Sequence, residues 1–163
     1  MTGRVWLFGD DIDTDMLAPG LYMRGGMDEL VKHCLEAADP DFAKNVRPGD
    51  VVVGGRNFGI GSSREQAAQA LVMLGVSAVL AVSFAGIFYR NALNLGLMAL
   101  VCPQAKSIRQ GQALTVEPEN ARAIDPTNNE SFACEPLPPH LIAMVRAGGL
   151  LAHLEQRLKA SRT

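Results

Sequence analysis

Apolar residues fall into short continuous runs, separated by segments in which they recur with helical spacing. The runs predict buried strands over residues 5–8, 51–55, 76–82 and 97–102. The helical segments extend from Asp28 through Ala38, from Ala67 through Leu74 and from Ser83 to about Leu95. Because strands that alternate with helices pair in parallel through right-handed crossovers, the pattern predicts an α/β fold.

Single polar residues and glycines predict where these helices begin and end. Asp28 and Ser83 are expected to cap the helices that they open. Gly75 and Gly96 follow the last apolar positions and are expected to end the helices before them. These signals therefore assign boundaries to three helices in the first hundred residues.

The last third of the chain predicts an antiparallel pair and a broken helix. ALTVE at 113–117 and ARAID at 121–125 flank a PEN turn, as the two strands of a hairpin do. A C-terminal helix is expected to start within PLPPHLIAMV and to break at Gly148 and Gly149. Since no linker separates two cores, residues 1–163 are predicted to form one domain.

Composition narrows the class of protein. The 163 residues are 48% hydrophobic and carry a net charge of −2, so the chain lacks the positive charge that is typical of a nucleic-acid-binding protein. The N-terminus becomes acidic too early for a secretory signal, which predicts a cytoplasmic protein. The segment from Gln66 to Tyr89 lacks charge, but Gly75 and Ser77 interrupt it and its period changes. We therefore expect no membrane span.

The three cysteines, Cys34, Cys102 and Cys134, are far apart and show no C-x-x-C spacing. An odd number of distant cysteines argues against a disulfide framework and against a zinc or iron–sulfur site. We expect three buried thiols in a chain that binds no cofactor or metal of its own.

The stretch GRNFGIGSSREQAAQAL, residues 55–71, places glycines, two serines and an arginine directly before a helix. Ser62 and Glu65 have the spacing of a capping box, so a well-capped helix is one interpretation. The alternative is an anion site, because a helix N-terminus offers free N–H groups and Arg64 can bind a carboxylate bidentately. The same donors would stabilise a serine alkoxide acting as a base. The stretch matches neither a P-loop, a dinucleotide fingerprint nor a nucleophile elbow.

A second polar cluster lies in GDDIDTD, where Asp10, Asp11, Asp13 and Asp15 occupy six residues. Three of these four carboxylates are expected to lie in a solvated loop or in local turns. Arg24, in YMRGG, is a third candidate, although a lone arginine before two glycines is usually a surface residue. The three histidines lie in helical contexts without ligand spacing and are predicted to be structural or exposed.

Together these motifs resemble the small-subunit family of isopropylmalate isomerase and homoaconitase, the counterpart of the swivelling fourth domain of aconitase. The similarity runs through GDDIDTD, APGLYMR, PGDVVVGGRNFGIGSSRE and SFAGIFYRNALNLGL into the C-terminal GGL. It spans nearly the whole chain, and NFGxGSSRE with the upstream DxDTD is highly specific. The resemblance implies a single swivelling β/β/α-barrel domain of the aconitase C-terminal type.

The resemblance also implies an activity. The family contributes to a hydro-lyase that moves a hydroxyl between neighbouring carbons, in a site shared with a large subunit that carries a [4Fe–4S] cluster. On matching positions, Ser62 corresponds to the catalytic base, and Ser63 and Arg64 correspond to ligands of a substrate carboxylate. Asp15 corresponds to an acid that supports a histidine of the partner, and Arg24 to an arginine that holds a further carboxylate.

The implied substrate is a 2-hydroxy acid. Overall similarity favours 3-isopropylmalate, a precursor of leucine, whereas Arg24 favours homoaconitate or another 2-alkylmalate. The rival hypotheses are a module that binds a small carboxylate without catalysis and a structural partner that has lost activity. Three positions depart from the family pattern: Ile60 stands where many relatives have Cys or Glu, Gln66 where they have His, and Gly86 where they have Arg.

Overall fold

A seven-stranded mixed sheet, in the order β4-β3-β2-β1-β5-β6-β7, organises the computed structural model, which describes residues 2–162. The first four strands, which are mutually parallel, are β1 Thr2–Leu7, β2 Val51–Gly54, β3 Ala78–Ala81 and β4 Met98–Val101. The antiparallel part consists of β5 Ala113–Glu117, β6 Arg122–Asp125 and β7 Glu130–Ala133.

The parallel strands confirm the predicted strands to within a few residues at their ends. Trp6 pairs with Val52, and Val52 pairs in turn with Val79. Every residue of β2 and β3 is buried, because the sheet is covered on both faces. Strands that are buried on both faces have continuous apolar sequences, which is why the sequence pattern predicted them.

The antiparallel half confirms the predicted hairpin and adds a strand that the sequence did not indicate. Thr115 pairs with Ile124 across the hairpin, as expected. The unpredicted strand β7 buries only Phe132 of its four residues, so its apolar signal is too weak to detect.

The two edges of the sheet meet, so the sheet curls on itself. The N–H of Glu135, just after β7, donates to the carbonyl of Val101 in β4 at 2.8 Å. The thiols of Cys102 and Cys134, which directly follow these two edge strands, contact each other. With Cys34 they are free and buried, as predicted. The predicted α/β fold is thereby confirmed.

Seven helices pack around the sheet within residues 2–162. They are α1 Thr14–Leu17, α2 Gly26–Leu30, α3 Phe42–Asn45, α4 Glu65–Met73, α5 Gly86–Asn94, α6 Pro139–Arg146 and α7 Leu150–Ser161. Short 3₁₀ helices cover Gly20–Gly25, Val31–His33, Ala105–Ser107 and Pro118–Asn120. None of the helices in this part of the chain has the length and apolar character needed to cross a bilayer.

The helix expected from Asp28 through Ala38 is present only in its first half. Helical structure ends at His33, because Cys34 has an extended backbone and Leu35 adopts a φ of +59°. Both of these side chains are completely buried, so burial in the core overrides the helical spacing of the sequence.

Two predicted caps are also wrong, whereas the two helix ends are right. Asp28 lies inside α2, for which Gly25 occupies the N-cap position. The hydroxyl of Ser83 accepts the N–H of Asn57 at 2.9 Å, and α5 begins three residues later. Gly75 and Gly96 follow their helices with φ values of +84° and +85°, which favour glycine.

Candidate active site

The loops after β1 and β2 lie side by side at the carboxyl edge of the parallel sheet, where α/β folds place their ligands. Their backbones remain paired beyond the strands. Asp11 N–H donates to the Arg56 carbonyl at 2.8 Å, and Thr14 N–H donates to the Ile60 carbonyl at 2.8 Å. Between them, Gly59 N–H donates to Ile12 at 2.6 Å. The two loops therefore form one rigid unit, which we call the paired loops, residues 10–14 and 56–62.

The glycines of the paired loops permit close packing inside the chain. Gly59 has a φ of +85°, and a Cβ there would overlap the ring of Phe88. Gly61 has a φ of +121°, and its Cβ would lie 2.8 Å from the hydroxyl oxygen of Thr14. Glycine is therefore required at both positions by backbone conformation and by contact.

Ser62 does not cap the helix, so the predicted capping box is wrong. Helix α4 begins at Glu65 with Arg64 at the N-cap position, and no side chain caps it. Ser62 is instead attached to the first loop, since its N–H donates to the Thr14 hydroxyl at 3.1 Å. Because this bond holds Ser62 ahead of the first helical turn, its hydroxyl is exposed at the edge of the sheet.

The backbone ahead of α4 leaves donors free. Within residues 2–162 the N–H groups of Ser63, Arg64, Glu65 and Gln66 make no hydrogen bond. A helix N-terminus carries a partial positive charge, so unpaired N–H groups there attract an anion. The start of α4 therefore offers unpaired backbone donors beside two exposed serines, as the predicted anion site would require.

Thr14 is a candidate residue that sequence reasoning missed. Its hydroxyl lies 3.3 Å from that of Ser62 while also accepting the Ser62 N–H, and the residue is only 3% exposed. A buried hydroxyl fixed in this way can donate to an oxygen anion on Ser62. Thr14 is part of the DIDTD motif, but that motif was interpreted through its aspartates alone, which is why the threonine was missed.

Arg64 and Asp15, both predicted as site residues, form an ion pair. Arg64 Nη1 donates to Asp15 Oδ1 at 2.9 Å and to the Ala18 carbonyl at 2.8 Å. The Nε and Nη2 groups of Arg64 have no partner within the described residues, so one edge of the guanidinium is free to bind a carboxylate. The Gly20 N–H, and after it Arg64, lower the pKa of Asp15 below its ordinary value.

The other three aspartates hold the loops in place. Asp13 accepts the Met16 N–H at 2.8 Å and caps α1, which is the local turn that was predicted. Asp10 reaches across to the Arg56 N–H at 2.7 Å. Asp11 accepts the side-chain amide of Asn57 at 3.0 Å. Two of the three therefore join the paired loops to each other rather than bond locally.

Arg24 lies apart from the other predicted residues, in the 3₁₀ segment Gly20–Gly25, which we call the arginine loop. Its side chain is exposed and has no hydrogen bond or ion pair with any residue between 2 and 162. The arginine loop nevertheless starts beside the site, because a Cβ on Gly20 would lie 3.6 Å from Arg64 Nη2. The guanidinium of Arg24 is thus free to meet an external anion.

The described part of the chain contains no cluster of three or more His, Cys, Asp or Glu side chains that could hold a metal ion. Cys34 is remote from the contacting pair Cys102 and Cys134 in sequence, and all three thiols are buried. Burial raises the pKa of Cys34 and keeps it a neutral thiol. The donor set of this chain therefore does not fit an iron–sulfur cluster, which requires several thiolates around one centre.

The sheet order and the curled edges define an α/β domain, and comparison with known proteins identifies it as a domain of the aconitase C-terminal type. A family model described as the aconitase C-terminal domain matches residues 26–105. The crystal structure of 3-isopropylmalate dehydratase from Methanocaldococcus jannaschii has a TM-score of 0.90 to this fold and 39% sequence identity. That comparison covers 99% of this chain and 98% of the other.

Curated relatives narrow the family further. The 3-isopropylmalate dehydratase small subunit 2 of Archaeoglobus fulgidus is 47% identical over 158 residues, which cover 96% of this chain and 95% of that protein. The methanogen homoaconitase small subunit of Methanothermobacter thermautotrophicus is 43% identical over 152 residues, covering 93% and 88%. The chain belongs to the family of 3-isopropylmalate dehydratase and homoaconitase small subunits, as its motifs predicted.

Gly59→Ala tests whether the paired loops depend on a left-handed backbone. We expect the free energy of unfolding to fall by about 1–3 kcal/mol, because the variant combines a strained φ with a clash against Phe88. Urea denaturation measures the change. Gly86→Ala is the matched control, since a Cβ there meets nothing, and it should stay within about 0.5 kcal/mol of the parent. Equal effects of the two substitutions would contradict the role of Gly59.

Asp15→Asn tests the ion pair through its pH dependence. Because the pKa of Asp15 is lowered in the fold, its stabilisation is present above the ordinary pKa and is lost as pH falls through the lowered value. Asp15 is 69% exposed, so we expect a loss of only about 0.5–1 kcal/mol at neutral pH, vanishing in acid. Urea unfolding at several pH values checks this, with Asp41→Asn as the control. A loss that persists in acid would refute the charge as its cause.

Proposed function

We propose that this chain is the small subunit of a hydro-lyase that isomerises a 2-hydroxy acid by dehydration and rehydration, with 3-isopropylmalate as the favoured substrate. The names of the relatives support this proposal, since several at more than 40% identity are small subunits of 3-isopropylmalate dehydratase. The structural observation on which the proposal depends is that the exposed Ser62 hydroxyl lies beside unpaired N–H groups and the guanidinium of Arg64 at the start of α4.

In this proposal, some groups of the site bind the substrate and Ser62 transfers the proton. The free edge of Arg64 and the unpaired N–H groups bind a carboxylate of the substrate, with Ser63 alongside. The carbon next to that carboxylate then lies against Ser62, whose oxygen takes the proton as hydroxide leaves the neighbouring carbon. This step leaves an unsaturated acid, a neutral Ser62 hydroxyl and hydroxide. The histidine of the proposed partner would protonate the hydroxide to water, and addition of water in the opposite sense completes the isomerisation.

The surroundings of Ser62 lower the cost of forming an alkoxide. A serine alkoxide is too rare in water to serve as a base, so it requires preorganised donors. Thr14 supplies one donor at 3.3 Å, and the positive end of α4 supplies a favourable field. The pairing of Thr14 N–H with the Ile60 carbonyl fixes this donor in position.

A large subunit is the proposed partner, and the names of the relatives support this because they specify a small subunit. Three large apolar side chains, Leu21, Ile60 and Ile87, are exposed around the loops at this edge, where a partner would cover them. Asp15 Oδ2 makes no hydrogen bond within the described residues and is free for a histidine of that partner. The [4Fe–4S] cluster belongs to the partner in this proposal, so this chain contributes binding and proton transfer.

Substrate range is a separate part of the proposal. Tyr22 and Met23 offer apolar surface next to Arg24. The unpaired charge of Arg24 would bind a third carboxylate of the substrate, if the substrate has one. The similarity to a homoaconitase small subunit supports a tricarboxylate or another 2-alkylmalate as the alternative substrate. A binding module without catalysis remains the rival of a different class. Turnover in a reconstituted complex distinguishes it from the enzyme.

Ser62→Ala tests the proposed base in a complex reconstituted by co-expression with a cluster-bearing large subunit. We expect kcat to fall by about 10²- to 10⁴-fold, because a positioned base contributes that much. The absorbance of the unsaturated intermediate measures the rate. Since Ser62 caps no helix, the free energy of unfolding should change by less than about 0.5 kcal/mol.

The control for this experiment is Ser107→Ala, which removes an exposed hydroxyl far from the site in sequence and without a hydrogen bond. Its kcat should equal that of the parent complex. Near-normal turnover by Ser62→Ala would reject the serine as the base, and an inactive parent complex that still binds substrate would favour the binding module.

Arg24→Val tests substrate selection. We expect the ratio of kcat/KM for 3-isopropylmalate to that for homoaconitate-type substrates to rise about 10- to 100-fold. This corresponds to the loss of one charge-assisted contact of roughly 1.5–3 kcal/mol. Arg90→Val, which alters an exposed arginine on α5, provides the control. An unchanged ratio would mean that Arg24 faces solvent in the complex and that the large subunit selects the substrate.

A further inference from the structure

The stacked rings of Tyr22 and His33 connect the arginine loop to the turn after α2. The rings of Tyr22 and His33 are nearly parallel, with an angle of 5° between their planes and 3.5 Å between their centroids. Tyr22 lies within the arginine loop, two residues before Arg24, whereas His33 ends the 3₁₀ turn after α2. The stack therefore joins the loop to a separate element of the fold.

Two carboxylates hold the histidine through both ring nitrogens. His33 Nδ1 lies 2.7 Å from Glu36 Oε2, and His33 Nε2 lies 3.2 Å from Glu29 Oε1. A carboxylate only accepts, and a neutral imidazole donates through one nitrogen alone, so both bonds require the imidazolium. The geometry thus selects a positively charged His33.

The charges around His33 favour the same state. The hydrogen bond from Glu36 is the largest cause that raises the pKa of His33 above its ordinary value; burial opposes it, and the hydrogen bond of Glu29 and the charges of both carboxylates add to the rise. Lys32 pairs with Glu29 at 3.4 Å on its solvent side. Helices α3 and α4 also approach this turn, but their charged side chains, Lys44 and Glu65, do not contribute to the shift.

We propose that His33, as the imidazolium, is a positioning residue that holds the arginine loop against the site and so presents Arg24 to the substrate. This inference rests on the proposed function for its link to catalysis, whereas the link between His33 and the loop stands on the ring stack and the two carboxylate bonds. The arginine loop is also anchored at Gly20, whose N–H donates to Asp15 at 2.9 Å, and Tyr22 and Met23 pack against the core. The side chain of Arg24 itself has no partner within residues 2–162.

Deprotonation of His33 weakens its stack on Tyr22 and its bonds to the two carboxylates. The neutral ring can keep only one of the bonds to Glu29 and Glu36, and its attraction to the face of Tyr22 falls when the positive charge is lost. Because the pKa of His33 is raised, the contribution of the charge is complete below the ordinary histidine pKa and disappears as pH rises through the raised value. The arginine loop should therefore loosen on the alkaline side of that transition.

The first experiment follows the full chain by NMR titration and amide hydrogen exchange. His33 should titrate above the ordinary histidine pKa, and Glu36→Gln should move that value downward. His33→Phe retains a ring for the stack but removes both donors, and it should raise exchange across Gly20–Gly25 by about 3- to 10-fold below the transition. His140→Phe makes the same substitution at an exposed histidine and should leave exchange in this segment unchanged.

The second experiment uses the reconstituted complex and varies pH. The preference for a tricarboxylate over 3-isopropylmalate should decline in the parent as His33 deprotonates, and this pH dependence should disappear in His33→Phe. If exchange across the arginine loop does not respond to His33→Phe or Glu36→Gln, the inference is overturned, whatever the enzyme does. If exchange responds while the substrate preference is flat with pH, the role proposed for Arg24 is overturned instead.

Discussion

The continued backbone pairing of the first two parallel strands is the constraint on which this site depends. Beyond β1 and β2, the hydrogen bonds of Asp11, Thr14 and Gly59 extend the ladder into the paired loops. This pairing brings Thr14 against Ser62, although 48 residues separate them along the chain. A buried backbone group without a partner costs free energy, so the ladder fixes the position of Ser62 more firmly than its own exposed side chain could.

The chemistry of the site comes from donors that the fold leaves unpaired. Arg64 uses Nη1 to bind Asp15 and Ala18, which leaves its Nε and Nη2 groups without a partner in the described residues. The N–H groups at that helix end have no cap, and Ser62 is held outside the first turn by Thr14. A side-chain cap would stabilise the helix but would occupy these donors, so it would compete with the anion binding proposed for this helix end.

Two levels of rigidity coexist around the site. The paired loops are secured by backbone bonds between neighbouring strands and by glycines whose positions admit no Cβ. The arginine loop is bonded to Asp15 at Gly20 and is otherwise supported by the ring of His33 and the carboxylates beyond it, contacts that are partly exposed. Such a segment opens at a lower free energy than the core, which would suit the substrate selection proposed for Arg24.

The sequence by itself determined the parallel strands, the helix ends at Gly75 and Gly96, and the family of the chain, because buried runs, left-handed glycines and specific motifs are local signals. Tertiary structure alone decided that the helix after Asp28 stops at His33, since the complete burial of Leu35 outweighs helical spacing. It also decided that Ser62 bonds to Thr14 rather than capping α4, and that the sheet edges close through Val101 and Glu135. These contacts join residues that are distant in sequence. Local periodicity cannot predict them, because it does not indicate which distant residues come into contact.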